Sequence, residues 1–115
     1  MNEKAIRKKT PKSTDWSVYM VRCDDGSVYT GISTDVARRL IEHQRGGARS
    51  ARYLRTRRPV SVIFSQSVGD RSTALSAEHA IKRLEKTQKE ALARGATTLH
   101  DVLAHYATRR TRQSS

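Results

Sequence analysis

In the stretch SVYMVRCDDGSVYTG, from Ser17 to Gly31, Tyr19 and Tyr29 stand ten residues apart, and Gly31, Arg39, His43 and Glu78 follow. Phenol and imidazole groups exchange protons, a guanidinium presents a fixed fork of donors to two phosphate oxygens, and a carboxylate can hold a divalent cation. Hydrolysis of a phosphodiester calls on such groups, because it needs an activated water, stabilisation of extra charge at phosphorus, and help for the departing oxygen. Each residue also has a plain structural reading. Paired strand tyrosines pack, an Arg and a His on a helix face water, and a mid-helix Glu is a solvated surface group. Their occurrence together, in one order and spacing, is what gives the set weight.

The elements that must position these groups are legible in outline. Val18–Met20 and Val28–Thr30 flank Asp25-Gly26, a strong signal for a β-hairpin. Ser33, Thr34 or Asp35 can cap a helix whose Val36, Leu40 and Ile41 form an apolar stripe ending before Gly46-Gly47, with Arg39 and His43 four apart on one face. After Pro59, Val60, Val62 and Phe64 alternate with Ser61, Ile63 and Ser65 in a third strand. A helix over about Ser72 to Thr87 groups Ala74, Ala77, Ile81 and Leu84, with Glu78 at the edge of that stripe. Gln88 to Gly95 continues or restarts it, and Gly95 suits a C-terminal cap. Thr98 can cap a last helix that buries Leu99, Val102, Leu103 and Tyr106. The order is β-β-α-β-α-α: an α/β (α+β) domain with a small three-stranded, mostly antiparallel sheet flanked by helices.

The chain's 115 residues suit one domain, expected over residues 16–107, with basic extensions at 1–15 and 108–115. No apolar run approaches the ~20 residues that span a bilayer. The single cysteine, Cys23, offers no disulfide partner, and with no secretory signal in view the expected location is the cytoplasm. The formal net charge of +12 suggests a polyanion, since Lys and Arg bind nucleic acid by neutralising phosphates and releasing counterions. The excess sits in the two ends and in one internal segment, Arg45 to Arg58, which holds six arginines and no acid. A basic surface can also serve solubility, a membrane surface or an acidic protein. Cys23, His100 and His105 suggest no site, and neither a zinc spacing nor a Gly-rich phosphate loop occurs.

Taken together, VYM at Val18 to Met20, YTG at Tyr29 to Gly31, and then Arg39, His43 and Glu78 resemble the GIY-YIG nuclease superfamily. Within it the chain looks most like small single-domain bacterial proteins of the YhbQ-like, UPF0213 type, on YTGISTDVARRLIEHQ and VGDRSTALSAEHAIKRL. The resemblance covers roughly Trp16 to Gly95. It implies a nuclease fold in which Tyr29 is the general base, Tyr19 orients the water or the scissile phosphate, and Arg39 stabilises the transition-state charge. It further implies that Glu78 holds one divalent cation, Mg²⁺ or Mn²⁺, and that His43 lies near the active centre. His43 stays open between proton relay, phosphate contact and a plain helix-face residue. Gly31 is explained by backbone geometry, since a residue without Cβ lets a chain or phosphate come close.

The segment RGGARSARYLRTRR is the expected nucleic-acid surface, through Arg45, Arg49, Arg52, Tyr53, Arg55, Arg57 and Arg58, with Tyr53 available either to stack on an unpaired base or to pack in the core. DNA is the expected partner ahead of RNA, and no organic cofactor is implied. Two functions stay in view: a metal-dependent endonuclease acting on single-stranded or branched DNA in repair or processing, and a nucleic-acid-binding module of the same fold with weak or absent catalysis. No helix-turn-helix, zinc finger or second binding domain is visible to add sequence specificity.

Overall fold

The computed structural model describes residues 14–46, Leu54 and 57–114, with side chains described as far as residue 107. Strands β1 (Trp16–Cys23) and β2 (Val28–Ser33) form an antiparallel hairpin, and β3 (Pro59–Gly69) pairs antiparallel with the other side of β1, giving the order β2-β1-β3. Gly26 sits at φ 88°, where a side chain would be strained, and closes the hairpin. Around it the Gly26 amide donates to the Cys23 carbonyl, the Cys23 amide donates to the Ser27 carbonyl, and Ser27 donates to the Asp25 carboxylate from both its amide and its hydroxyl. This Asp-Gly turn fixes the register in which Tyr19 faces Gly31 and Val21 faces Tyr29.

Among the described residues are four helices: α1 (Val36–Arg45), α2 (Arg71–Lys82), α3 (Lys86–Ala93) and α4 (Leu99–Ser114). Carboxylate or hydroxyl caps start three of them: Asp35 accepts from the Arg38 amide, Asp70 from the Thr73 amide, and Thr98 from the Asp101 amide. The helix expected to run on to Thr87 instead ends at Lys82. It restarts because Glu85 and Gln88 cap each other reciprocally, so α3 is a separate element. Gly95, at φ 83°, ends α3 in a two-bond C-terminal cap, with its own amide on the Leu92 carbonyl and the Ala96 amide on Ala91. The backbone of α4 continues through Arg109, Arg110 and Arg112.

One face of the sheet carries Val18 and Met20, which pack with Ala77, Ala80 and Ile81 of α2, Leu92 of α3, and Leu99 and Val102 of α4. This is the main core, and each large aliphatic buried in it contributes ~1.5–3 kcal/mol relative to exposure. The simple alternation expected in β3 fails. Met20 pairs with Phe64 but Val21 with Val62, so Ile63 is an extra residue, and further register shifts lie opposite Trp16/Ser17 and Arg22/Cys23. Ile63 and Phe64, neighbours in sequence, therefore both pack on the core, while Val60 stands exposed. On α1 the apolar stripe is also incomplete: Ile41 points outward and the residue buried instead is His43.

Candidate active site

The opposite face of the sheet holds the tyrosines. Cross-strand partners share a face, so Tyr19 with Gly31 and Val21 with Tyr29 project to the side away from Met20. Tyr19 is 1% exposed and Tyr29 half-buried, with ring centroids 6.3 Å apart and tilted by 53°. Gly31 makes that packing possible. A Cβ there would lie 2.7 Å from the Tyr19 hydroxyl oxygen, 2.8 Å from its Cζ and 3.0 Å from Cε2 of Tyr29. The group that approaches Gly31 closely is thus the Tyr19 phenol, rather than a passing chain or phosphate.

Helix α1 brings His43 and Arg39 to this face. His43 Nε2 is 3.1 Å from the Tyr19 hydroxyl, the donor being set by the histidine tautomer, and its ring meets Tyr29 edge-on at 5.5 Å. Burial, with the Arg39 charge adding to it and Glu42 opposing, pushes the His43 pKa down to about 4, so the imidazole is neutral at pH 7. At 1% exposure His43 reaches the site through its contacts with Tyr19 and Tyr29. Arg39 donates to Glu42 at 2.8 Å, three residues along α1. Burial works against its charge, and the Glu42 bond together with the field of the two phenols outweighs that, so it remains a cation.

Glu78 arrives from α2. Its side chain is 14% exposed, and Lys82, one turn on, approaches its Oε2 at 3.2 Å. Both phenols register the carboxylate. Burial raises the Tyr19 pKa most, Tyr29 and Glu78 add to that, and Arg39 pulls the other way. Burial likewise raises Tyr29, Glu78 adds, and Arg39 opposes. Five of the six expected site residues, Tyr19, Tyr29, Arg39, His43 and Glu78, therefore converge, and Gly31 supplies the space. As for a metal, no group of three or more His, Cys, Asp and Glu could hold one among the described residues. Glu78 alone fits a hard, largely hydrated cation such as Mg²⁺ or Mn²⁺, whose other ligands are water and phosphate oxygens, and does not fit a closed structural site.

Of the expected nucleic-acid surface, Arg49, Arg52, Tyr53 and Arg55 lie outside the described residues. Arg45 ends α1, and Arg57 and Arg58 border a cavity of ≈ 340 Å³ with Asp24, His43, Gln44, Gly46, Leu54 and Pro59. These arginines are tied to the hairpin: Arg57 Nε pairs with Asp25 at 3.3 Å, the Arg58 amide donates to the Asp24 carboxylate, and the Asp24 amide donates to the Arg58 carbonyl. Glu42 and Lys82 were not singled out from sequence. The available signals were an acid three residues after Arg39 and a base four residues after Glu78, spacings that also fit ordinary surface pairs.

The pattern of the GIY-YIG catalytic domain matches residues 15–91. The chain belongs to the GIY-YIG family. A UPF0213 protein of Desulfotalea psychrophila is 47% identical over 81 residues, covering 70% of this chain and 73% of that one. The UPF0213 protein YhbQ of Escherichia coli K12 is 42% identical over 95 residues, 83% of this chain and 93% of the relative. A UPF0213 protein of Bacillus halodurans, solved by solution NMR, is 34% identical, covers 69% of this chain and 82% of its own, and superposes with a TM-score of 0.44. Within the GIY-YIG match lie both tyrosines, Gly31, Arg39, His43 and Glu78. Membership implies a nuclease-type domain that meets nucleic acid. Among the described residues no helix is long and apolar enough to cross a membrane.

Proposed function

We propose that this GIY-YIG protein is a divalent-metal-dependent endonuclease that hydrolyses DNA phosphodiester bonds, acting in the cytoplasm on single-stranded or branched DNA during repair or processing. The observation that carries the reading is the convergence of Tyr29, Arg39 and Glu78 around the buried Tyr19–His43 pair.

Tyr29 is the half-exposed phenol and the one open to substrate, so it takes the proton from the attacking water. Its raised pKa keeps it neutral at pH 7, and the Arg39 cation favours the phenolate that this step requires. Arg39 binds the phosphate oxygens on which negative charge builds, in the fork geometry lysine lacks. Tyr19, buried under Tyr29 and bonded to His43, positions the other groups from beneath. Glu78 would hold the cation. When bound, such an ion offsets the carboxylate's effect on the phenols, polarises a phosphate oxygen and supports the leaving oxygen.

The reading is tested by cleavage of labelled single-stranded, duplex and branched DNA and RNA with Mg²⁺ or Mn²⁺, using wild type, Tyr29→Phe and Glu78→Ala. Wild type should cut, and Tyr29→Phe should be slower by ~10²–10⁴-fold, the usual contribution of a positioned base. Wild type that binds yet cuts no better than the variants refutes it. The deep burial of Tyr19 and the raised pKa of Tyr29 favour a second reading, a nucleic-acid-binding module without efficient chemistry, and that result would support it.

A further inference from the structure

A second cavity, with two lysines in its wall, adjoins Tyr29. It has a volume of ≈ 290 Å³ and is walled by Val28, Tyr29 and Thr30 of β2, Lys82 of α2 and Lys89 of α3. Three consecutive strand residues, whose side chains alternate between faces, can line one cavity only at the edge of a sheet. β2 is the outer strand, so the cavity lies along its open edge where α2 gives way to α3. The break in the helix at Arg83–Glu85 is what brings a lysine from each helix to the same place.

Three features give this cavity the chemistry of an anion site. No acid lines it. Lys89 is half-buried and makes no ion pair among the described residues, so its ammonium is open to a counterion. Lys82 is held by Glu78 at 3.2 Å, yet its side chain is 51% exposed, and pairs so open to water bind weakly and exchange partners readily. The size lies at the small end of ligand pockets, ~300–1,000 Å³, and suits one phosphate with part of its nucleoside.

The position of the cavity relative to the first one is informative. Tyr29 walls this cavity and His43 walls the one bordered by Arg57 and Arg58, and the two rings are 5.5 Å apart. Basic ground thus flanks the tyrosine–histidine contact on both sides. We propose that the Lys82–Lys89 cavity is a phosphate subsite for a nucleic-acid strand, holding a backbone phosphate next to the one presented to Tyr29. The inference rests on the nuclease reading for the identity of the reacting phosphate, and on the cavity alone for binding. The strand then runs from Arg57 and Arg58 past Tyr29 to the α2–α3 corner.

The test is binding of a fluorescent single-stranded DNA oligonucleotide by anisotropy in metal-free buffer over a range of salt. Each phosphate neutralised contributes ~0.7 to the slope of log K against log[salt] for single strands, so Lys82→Gln/Lys89→Gln should flatten the slope by about 0.7. Lys89→Gln alone, which leaves the Lys82–Glu78 pair intact, should account for about half of that. Arg94→Gln, an equal change in charge at the exposed end of α3, should alter the slope by much less. Melting curves confirm that each variant is folded. Slopes that match wild type, or that Arg94→Gln reproduces, overturn the proposal. Cleavage is scored separately with Mg²⁺. A wild type that cuts DNA while the slopes stay unchanged removes the subsite and keeps the nuclease reading. A flattened slope with no cleavage by wild type keeps the subsite and removes that reading.

Discussion

His43 shows how one buried residue governs both stability and the site. Its pKa is depressed to about 4 in the fold, against ~6.5 when the chain is unfolded. Between those values the unfolded chain binds the proton and the folded one does not, so stability rises with pH and is lost as pH falls from about 6.5 towards 4. The loss should reach on the order of 3 kcal/mol. Urea denaturation of wild type and His43→Gln at pH 4 to 7 checks this: the difference between the two curves should depend on pH across that window and flatten above it. Gly31 offers a second prediction. Gly31→Ala drives a methyl to 2.7 Å from the Tyr19 hydroxyl and should cost ~1–3 kcal/mol, and pairing it with Tyr19→Leu should cost less than the sum of the two singles. At this scale the sequence disclosed which residues meet, because GIY-YIG spacing fixes both tyrosines, Arg39 and Glu78. It did not disclose who is buried. A histidine one turn after an arginine reads as a wet helix face, and only the Tyr19 hydroxyl that satisfies its Nε2 makes burial tolerable.

Elements position these groups through a few polar clamps on the hairpin. Arg22 of β1 reaches Glu90 of α3 with two bonds of 2.7 and 2.6 Å, and Lys86 of α3 donates to the Gly26 carbonyl at the turn. On its other flank the turn is tied to Arg57 and Arg58 through Asp24 and Asp25. The hairpin tip therefore links the arginine segment to α3, whose Lys89 lines the second cavity. Both members of the Arg22–Glu90 pair are about one-third exposed, which places the pair well below the strength of a buried one. A double-mutant cycle with Arg22→Ala and Glu90→Ala should give a coupling of ~1 kcal/mol, the upper end for such pairs because the geometry is bidentate. A coupling near zero would mean that the clamp contributes nothing. Helix starts at Asp35 and Thr98 and the Asp25-Gly26 turn were legible because each depends on local side-chain chemistry. The bulges of β3 and the break between α2 and α3 were not. Bulges answer to pairing with β1, and Glu85 at an N-cap lacks the short side chain that usually marks a helix start.

Across the whole molecule, charge decides how a metal and a nucleic acid enter together. The chain carries a formal +12, and Lys82 stands 3.2 Å from the single carboxylate offered to a cation, so a metal ion meets repulsion as well as one ligand. A phosphate strand changes both terms: it neutralises the nearby cations and brings oxygen ligands of its own. Metal and nucleic acid should consequently bind with positive coupling, each strengthening the other by the same factor. Titration of Mn²⁺ into the free protein, followed by the electron paramagnetic resonance signal of unbound metal, should give an affinity of ~10⁻³ M or weaker, below that of carboxylate-rich sites. Repeating it with saturating phosphorothioate single-stranded DNA that resists cleavage should tighten binding by roughly 5- to 150-fold, the range of typical coupling energies. A control with the oligonucleotide alone subtracts metal held by the strand, and Glu78→Ala should abolish the protein-dependent gain. Lys82→Met should tighten metal binding to the free protein, since it removes the ammonium at 3.2 Å from Glu78 Oε2. Micromolar binding to the free wild-type protein would contradict the single-carboxylate site, because one carboxylate opposed by a neighbouring ammonium cannot supply that affinity.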